Sequence, residues 1–173
     1  DKFYEQKYKI TIDPGMAFGT GQHETTKLCL ECMCDTQKIE ENFLDVGTGS
    51  GILALCAKKL GYKFVLGIDI DPSAIEIAKE NAKINATEID LRFSAINDIQ
   101  ETSFDFIVAN ILSTPLKTIL AKISERLKNN GTLVLSGILA NEKNEFIDFL
   151  KKLKLNVIET RFLNDWCAFI CKK

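Results

Sequence analysis

The sequence has a single histidine, a single tryptophan and three prolines among its 173 residues, and its formal net charge is only −2. Basic residues are scattered rather than clustered, which leaves no electrostatic footprint for direct nucleic-acid binding. No apolar run is long enough to cross a bilayer and no signal peptide is visible, so no membrane association is expected. Internal repeats and low-complexity tracts are absent. No glycine loop closes on Gly-Lys-Ser/Thr, which excludes a phosphate-binding loop. The six cysteines lie in apolar segments, as in a reduced, cytoplasmic protein with buried thiols and not in a disulfide scaffold. Cys29-x-x-Cys32-x-Cys34 lacks a second Cys/His pair and falls in a helical pattern, so no metal is expected. The missing initiator methionine before Asp1 suggests a fragment or a processed chain.

What the chain does have is enough apolar sequence, 46% of residues, for one good core and hence one domain. Its centre is Phe-Leu-Asp-Val-Gly-Thr-Gly-Ser-Gly-Ile-Leu-Ala-Leu over residues 43–55, which reads as a buried strand, a glycine turn and an apolar helix. A second strand over residues 64–68 delivers Asp69, completing a βαβ unit of the kind that holds an adenosine ribose. The glycines alternate, unlike the Gly-x-Gly-x-x-Gly of dinucleotide sites. Asp45 opposes a pyrophosphate but suits an ammonium, so the turn fits the amino-acid tail of S-adenosylmethionine, its carboxylate toward the helix N-terminus. Asp69 then takes both ribose hydroxyls. NAD or FAD is the alternative ligand, and a plain tight turn in an α/β sheet is the bland one.

Residues 7–12 alternate enough for a strand or an extended leader. Residues 13–26 carry three glycines without periodicity, and such long loops in compact domains are usually functional or disordered. A helix over residues 23–36 turns Leu28, Cys29, Cys32 and Met33 inward. Asp71 and Pro72 start another helix, with Ala74, Ile75, Ala78 and Ala82 as its buried stripe. Strands follow over 90–94 and 104–109, a helix to about residue 128, a turn at Asn130-Gly131, a strand over 132–136 and a helix over 141–153. Residues 157–162 and 166–171 form a closing antiparallel hairpin. The expected fold is α/β, a doubly wound Rossmann-like sheet of about seven strands with the last antiparallel. Gly47, Asp69 and Asn110 should then meet at the carboxyl ends of the strands, at the switch in strand order.

These motifs are together familiar. Asp-Pro-Gly-Met-Ala-Phe-Gly-Thr-Gly-Gln-His-Glu-Thr-Thr (13–26), the glycine turn, Gly-Ile-Asp-Ile-Asp-Pro (67–72), Ala-Asn-Ile-Leu-Ser-Thr-Pro-Leu (109–116) and Leu-Ser-Gly-Ile-Leu (135–139) occur in order. The chain closely resembles the catalytic domain of the bacterial methyltransferases that modify large-subunit ribosomal protein eleven. The resemblance implies a class I methyltransferase fold and methyl transfer to lysine and α-amino groups of a ribosomal protein. S-adenosylmethionine is the implied cofactor, leaving as S-adenosylhomocysteine. It also implies cofactor contacts at Thr26, Gly47, Asp69 and Asn110, with Gly49 and Ile70 as neighbours and Ile70 covering the adenine. The resemblance also implies an N-terminal substrate-recognition domain in the family, which is expected to be absent here. Residues 1–21 then form a leader strand and cofactor-covering loop, and residues 22–173 a single catalytic domain. A related methyltransferase for another protein or a small amine, or a noncatalytic cofactor-binding module, are the alternatives.

Methyl transfer to nitrogen requires a neutral amine aligned with the departing sulfur. Asn110 offers a side-chain amide and a nearby carbonyl to hold that amine, or else caps the loop before Pro115. His23 is the residue type suited to accepting the amine's proton, or else it starts the helix. Phe18 covers the cofactor's methionine end or joins the core.

Overall fold

The computed structural model describes residues 9–13, 21–36 and 42–173. Seven strands form one sheet: β1 (Asn42–Val46), β2 (Phe64–Asp69), β3 (Asp90–Phe93), β4 (Phe104–Asn110), β5 (Leu127–Leu139), β6 (Asn156–Leu163) and β7 (Trp166–Lys172). Their spatial order is β3-β2-β1-β4-β5-β7-β6, with β7 antiparallel to both neighbours and the rest parallel. The chain therefore winds outward from β1 in one direction and from β4 in the other, and the switch point lies between these two strands. The described part of the 7–12 segment, residues 9–12, forms no strand.

Period-two alternation assigns each strand residue to one of two cores. Leu44, Leu66, Ile107 and Leu133 point to the side covered by α4 (Ser113–Arg126) and α5 (Lys143–Lys152). Phe43, Val65, Phe106 and Val134 point to the side covered by α1 (Glu24–Asp35) and α2 (Ile52–Leu60). Helix α3 (Pro72–Ile84) packs on α2 and β3 through Ala78, Ala82, Leu55 and Leu91. Helix α1 buries Leu28, Cys29, Cys32 and Met33, the expected stripe. Burying Leu28 and Met33 contributes roughly 2 kcal/mol each. Cys34, by contrast, is exposed, so not every thiol is buried. Asp71 caps α3 by accepting from the Ser73 amide at 2.8 Å, with Pro72 in the first turn.

Two irregularities in β5 matter for the site. The strand begins at Leu127, earlier than the sequence suggests, and runs through Asn130-Gly131 as a bulge against β4, with Asn130 left-handed at φ 67°. A second bulge, against β7, falls between Leu135 and Ile138 and contains Gly137 at φ 88°. The β6–β7 hairpin turns through Asn164-Asp165 with Asn164 at φ 52°, as a tight right-twisted hairpin requires. Among the described residues no helix is long and apolar enough to cross a membrane.

Candidate active site

The glycine turn after β1 is anchored from below by β2. The amides of Gly47 and Thr48 both donate to the Ile68 carbonyl at 2.9 Å, and Gly49 N donates to Asp69 Oδ2 at 3.0 Å. Gly47, Gly49 and Gly51 have φ of 72°, 53° and 81°, a path that side chains at these positions oppose. Asp69 also accepts from Asp71 N through Oδ1 at 3.0 Å. A carboxylate offers about four lone-pair sites, so Asp69 keeps capacity for hydroxyl donors.

Above this turn lies a cavity of about 220 Å³, walled by Gly47, Asp69, Ile70, Ser94–Asn97, Ile111 and Ile119 among others. Ile70 is 75% exposed along its edge. A second cavity, of about 280 Å³, lies on the other side of the segment after β4 and is lined by His23, Thr25, Asn110, Leu112, Gly137 and Trp166. Successive side chains of this segment serve opposite cavities: Ile111 faces the first, Asn110 and Leu112 the second. The segment is held by Ile111 N donating to Ser136 O at 3.1 Å.

The expected site residues divide accordingly. Gly47, Asp69 and Ile70 line the first cavity, Asn110 and His23 the second. Thr26 is 1% exposed and lines neither, but its Oγ1 accepts from Asn110 Nδ2 at 3.3 Å and so orients that amide. His23 is the N-cap of α1: its Nδ1 accepts from Thr25 N at 3.3 Å and lies 2.9 Å from Thr25 Oγ1. With Nδ1 accepting, a neutral ring carries its proton on Nε2, so capping and proton acceptance compete for one nitrogen. The imidazole also meets the Trp166 indole edge-on at 5.3 Å. Phe18 lies outside the described residues.

Asp45 departs from expectation. It is 1% exposed and turned under α2, where Oδ2 accepts from Thr48 Oγ1 at 2.7 Å and Ala54 N at 3.2 Å. It lines neither cavity, because its strand position faces the α2 core, the same face as Phe43. The α2 N-terminus therefore already carries a carboxylate from the chain itself. Burial lifts the Asp45 pKa to about 7, against the pull of the Thr48 and Ala54 hydrogen bonds. Unfolded, the carboxyl titrates near its ordinary value of about 4. The folded state thus binds the extra proton between these values, and Asp45's contribution to stability is complete at low pH and lost as pH rises to 7 and beyond. Asp45→Asn is expected to remove a stability loss of roughly 4 kcal/mol over that window. Urea unfolding from pH 4 to 8 checks this; the same dependence of stability on pH in both proteins would rule it out.

Trp166, Leu112 and the Ser94–Asn97 turn were not singled out by sequence reasoning. The turn follows β3 at the carboxyl edge, a position that topology flags once strand order is known. Trp166 opens the reversed strand β7, and only that reversal brings it to the same edge.

The chain matches the model of the family described as Ribosomal protein L11 methyltransferase (PrmA) over residues 2–173. It is 41% identical to the ribosomal protein L11 methyltransferase of Caldicellulosiruptor saccharolyticus over 98% of its own length and 56% of that relative's. The chain thus spans little more than half the length of such relatives. The ribosomal protein L11 methylase structure from Lactobacillus delbrueckii subsp. bulgaricus superposes with a TM-score of 0.91 at 30% identity, over 100% of this chain and 89% of that one. A TehB-like SAM-dependent methyltransferase from Corynebacterium glutamicum shares the fold with a TM-score of 0.68 at 21% identity, over 84% and 86% of the two chains.

Proposed function

The chain belongs to the ribosomal protein L11 methyltransferase family, and on that premise we propose that it transfers methyl groups from S-adenosylmethionine to amino groups of that ribosomal protein. The acceptors are lysine side chains and the N-terminal α-amine. The observation that carries this reading is the pair of cavities on either side of Asn110–Leu112, one with an acid and a glycine turn, the other with the Leu112 and Trp166 side chains beside the Asn110 amide, His23 and Thr25.

The first cavity suits the nucleoside. A Cβ on Gly47 would come within 3.1 Å of Ile111, so the absent side chain keeps that gap open. Asp69 holds the ribose hydroxyls, Ile70 covers the base, and Gly49 serves indirectly by donating its amide to Asp69. Asp45 braces the turn from beneath instead of meeting the ligand's ammonium. The sulfonium of the bound cofactor supplies an already electrophilic methyl group.

The chain's own work is alignment. Asn110 donates to Thr26 through Nδ2, which leaves its Oδ1 to accept an N–H of the incoming amine and fix the direction of the nitrogen lone pair. Trp166 and Leu112 form apolar walls along which an alkyl-amine stem packs. His23 positions Thr25 and the start of α1 and is not assigned the proton. We place the activity in the cytoplasm, where ribosomes and reduced thiols coexist, without direct RNA contact.

Labelled-methyl transfer from S-adenosylmethionine to purified ribosomal protein L11 tests the whole reading. Calorimetry with S-adenosylhomocysteine against NAD tests the donor alone; preference for NAD would overturn it. Asp69→Asn is expected to weaken S-adenosylhomocysteine about thirtyfold, the loss of charge-assisted hydroxyl bonds worth ~2 kcal/mol. An affinity within twofold of the unaltered chain would remove Asp69 from the ribose.

A further inference from the structure

Residues 9–13 pair with no strand, yet their backbone is held as though by one. Thr11 N donates to Asn85 Oδ1 at 2.8 Å, and Asn85 Nδ2 donates back to Thr11 O at 2.7 Å. The amide of Asn85 thus imitates a neighbouring strand. Two residues on, Asp13 N donates to Asn81 Oδ1 at 3.0 Å. Asn81 is 0% exposed, and its other end donates from Nδ2 to Ser50 O at 2.9 Å. Ser50 belongs to the glycine turn. Ile10 and Ile12 pack against the core alongside. One buried amide therefore joins three elements: α3, the strap of residues 9–13, and the turn that walls the first cavity.

A buried amide with both ends engaged has no slack. Shifting the turn by the few tenths of an ångström that separate a good hydrogen bond from a poor one forces Asn81 to release Ser50 or Asp13, leaving a buried group unpaired. Helix α3 cannot follow independently, since a Cβ on Gly51 would already meet Ala78 Cβ at 3.1 Å. Asn85 differs in kind: its side-chain hydrogen bonds among the described residues run to Thr11 and to the Asn81 carbonyl, holding the strap to α3 and not to the turn.

We infer that Asn81 is a positioning residue that couples docking of the 9–13 strap to occupation of the nucleoside cavity, so that each event favours the other. The inference rests on the nucleoside reading of that cavity. Coupling between two sites is reciprocal, so it is visible from the strap as well as from the ligand.

The experiment is amide hydrogen exchange at Thr11 and Asp13, with and without saturating S-adenosylhomocysteine, in the unaltered chain and in Asn81→Ala and Asn85→Ala. In the unaltered chain the ligand should raise protection at both amides, which line neither cavity, by about fivefold. Asn81→Ala should lose that response and bind the ligand about tenfold more weakly. Asn85→Ala should lose protection at Thr11 but keep the response at Asp13. If Asn81→Ala does not fold, Asn81→Asp keeps an acceptor for Asp13 N, removes the donor to Ser50, and carries the same expected loss of affinity. Ligand binding by the unaltered chain without any change at Thr11 and Asp13 overturns the coupling alone. An unaltered chain that binds no ligand overturns the nucleoside reading and the coupling with it.

Discussion

Replacing Gly137 by alanine is expected to destabilise the chain by about 3 kcal/mol or more and to abolish methyl transfer in whatever remains folded. Two costs add. Gly137 sits at φ 88°, where an L side chain costs roughly 1–2 kcal/mol by itself. Its Cβ would also lie 2.5 Å from Ile111 O and 2.6 Å from Ile111 C. These are backbone atoms, not the end of a flexible side chain, so relief requires moving the segment after β4. That segment is tied to the bulge through Ile111 N and Ser136 O, and Asn110 is paired with Ser136. The methyl group therefore displaces the residue proposed to hold the acceptor. The denaturant midpoint reports the first effect, and transfer assayed well below that midpoint the second. A variant as stable as the original would mean that the bulge does not press on Ile111.

Asn110→Ala is expected to lower kcat/KM for methyl transfer by about 10²–10³ while S-adenosylhomocysteine affinity falls less than about tenfold. The asymmetry follows from geometry. Asn110 lines the cavity with Trp166, whereas its neighbour Ile111 lines the cavity proposed for the nucleoside. The side chain is only partly buried, and its one recorded partner, Thr26 Oγ1 at 3.3 Å, is a long bond. Truncation therefore leaves the fold intact while the amine loses its guide. Single-turnover rates beside equilibrium affinities separate the two quantities. Equal losses in both would instead make Asn110 a cofactor residue above all.

The residues that line the first cavity around the glycine turn were legible because their signals are local. Short apolar runs mark β1 and β2 as buried strands, the glycine turn announces itself, and Asp69 follows at the end of β2. The rest depended on tertiary context. Asp45 reads as a guardian of the turn, but the parity of β1 sends it under α2. Asn81 and Asn85 read as polar residues beside the Ala74, Ile75, Ala78 and Ala82 stripe, and nothing in helical periodicity says that a strap will cover them. Asn130-Gly131 is a good turn signal, yet β5 passes through it as a bulge because Leu127 is already paired with Phe104. Trp166 was visible as the only tryptophan, but its place at the site follows from the reversed run of β7, which alternation alone does not locate.

The reversal of β7 also sets an order of assembly. The first cavity is lined by residues between Val46 and Ile119, whereas the second needs His23 beside Trp166. Closing so wide a loop carries an entropic cost, and the strand that closes it lies inside the sheet between β5 and β6, with Cys167, Ala168, Phe169 and Cys171 fully buried. During synthesis the residues that line the first cavity emerge before Trp166, which the second requires. In the mature chain the wall that Trp166 gives the second cavity is therefore carried by a strand paired on both sides, not by a sheet edge.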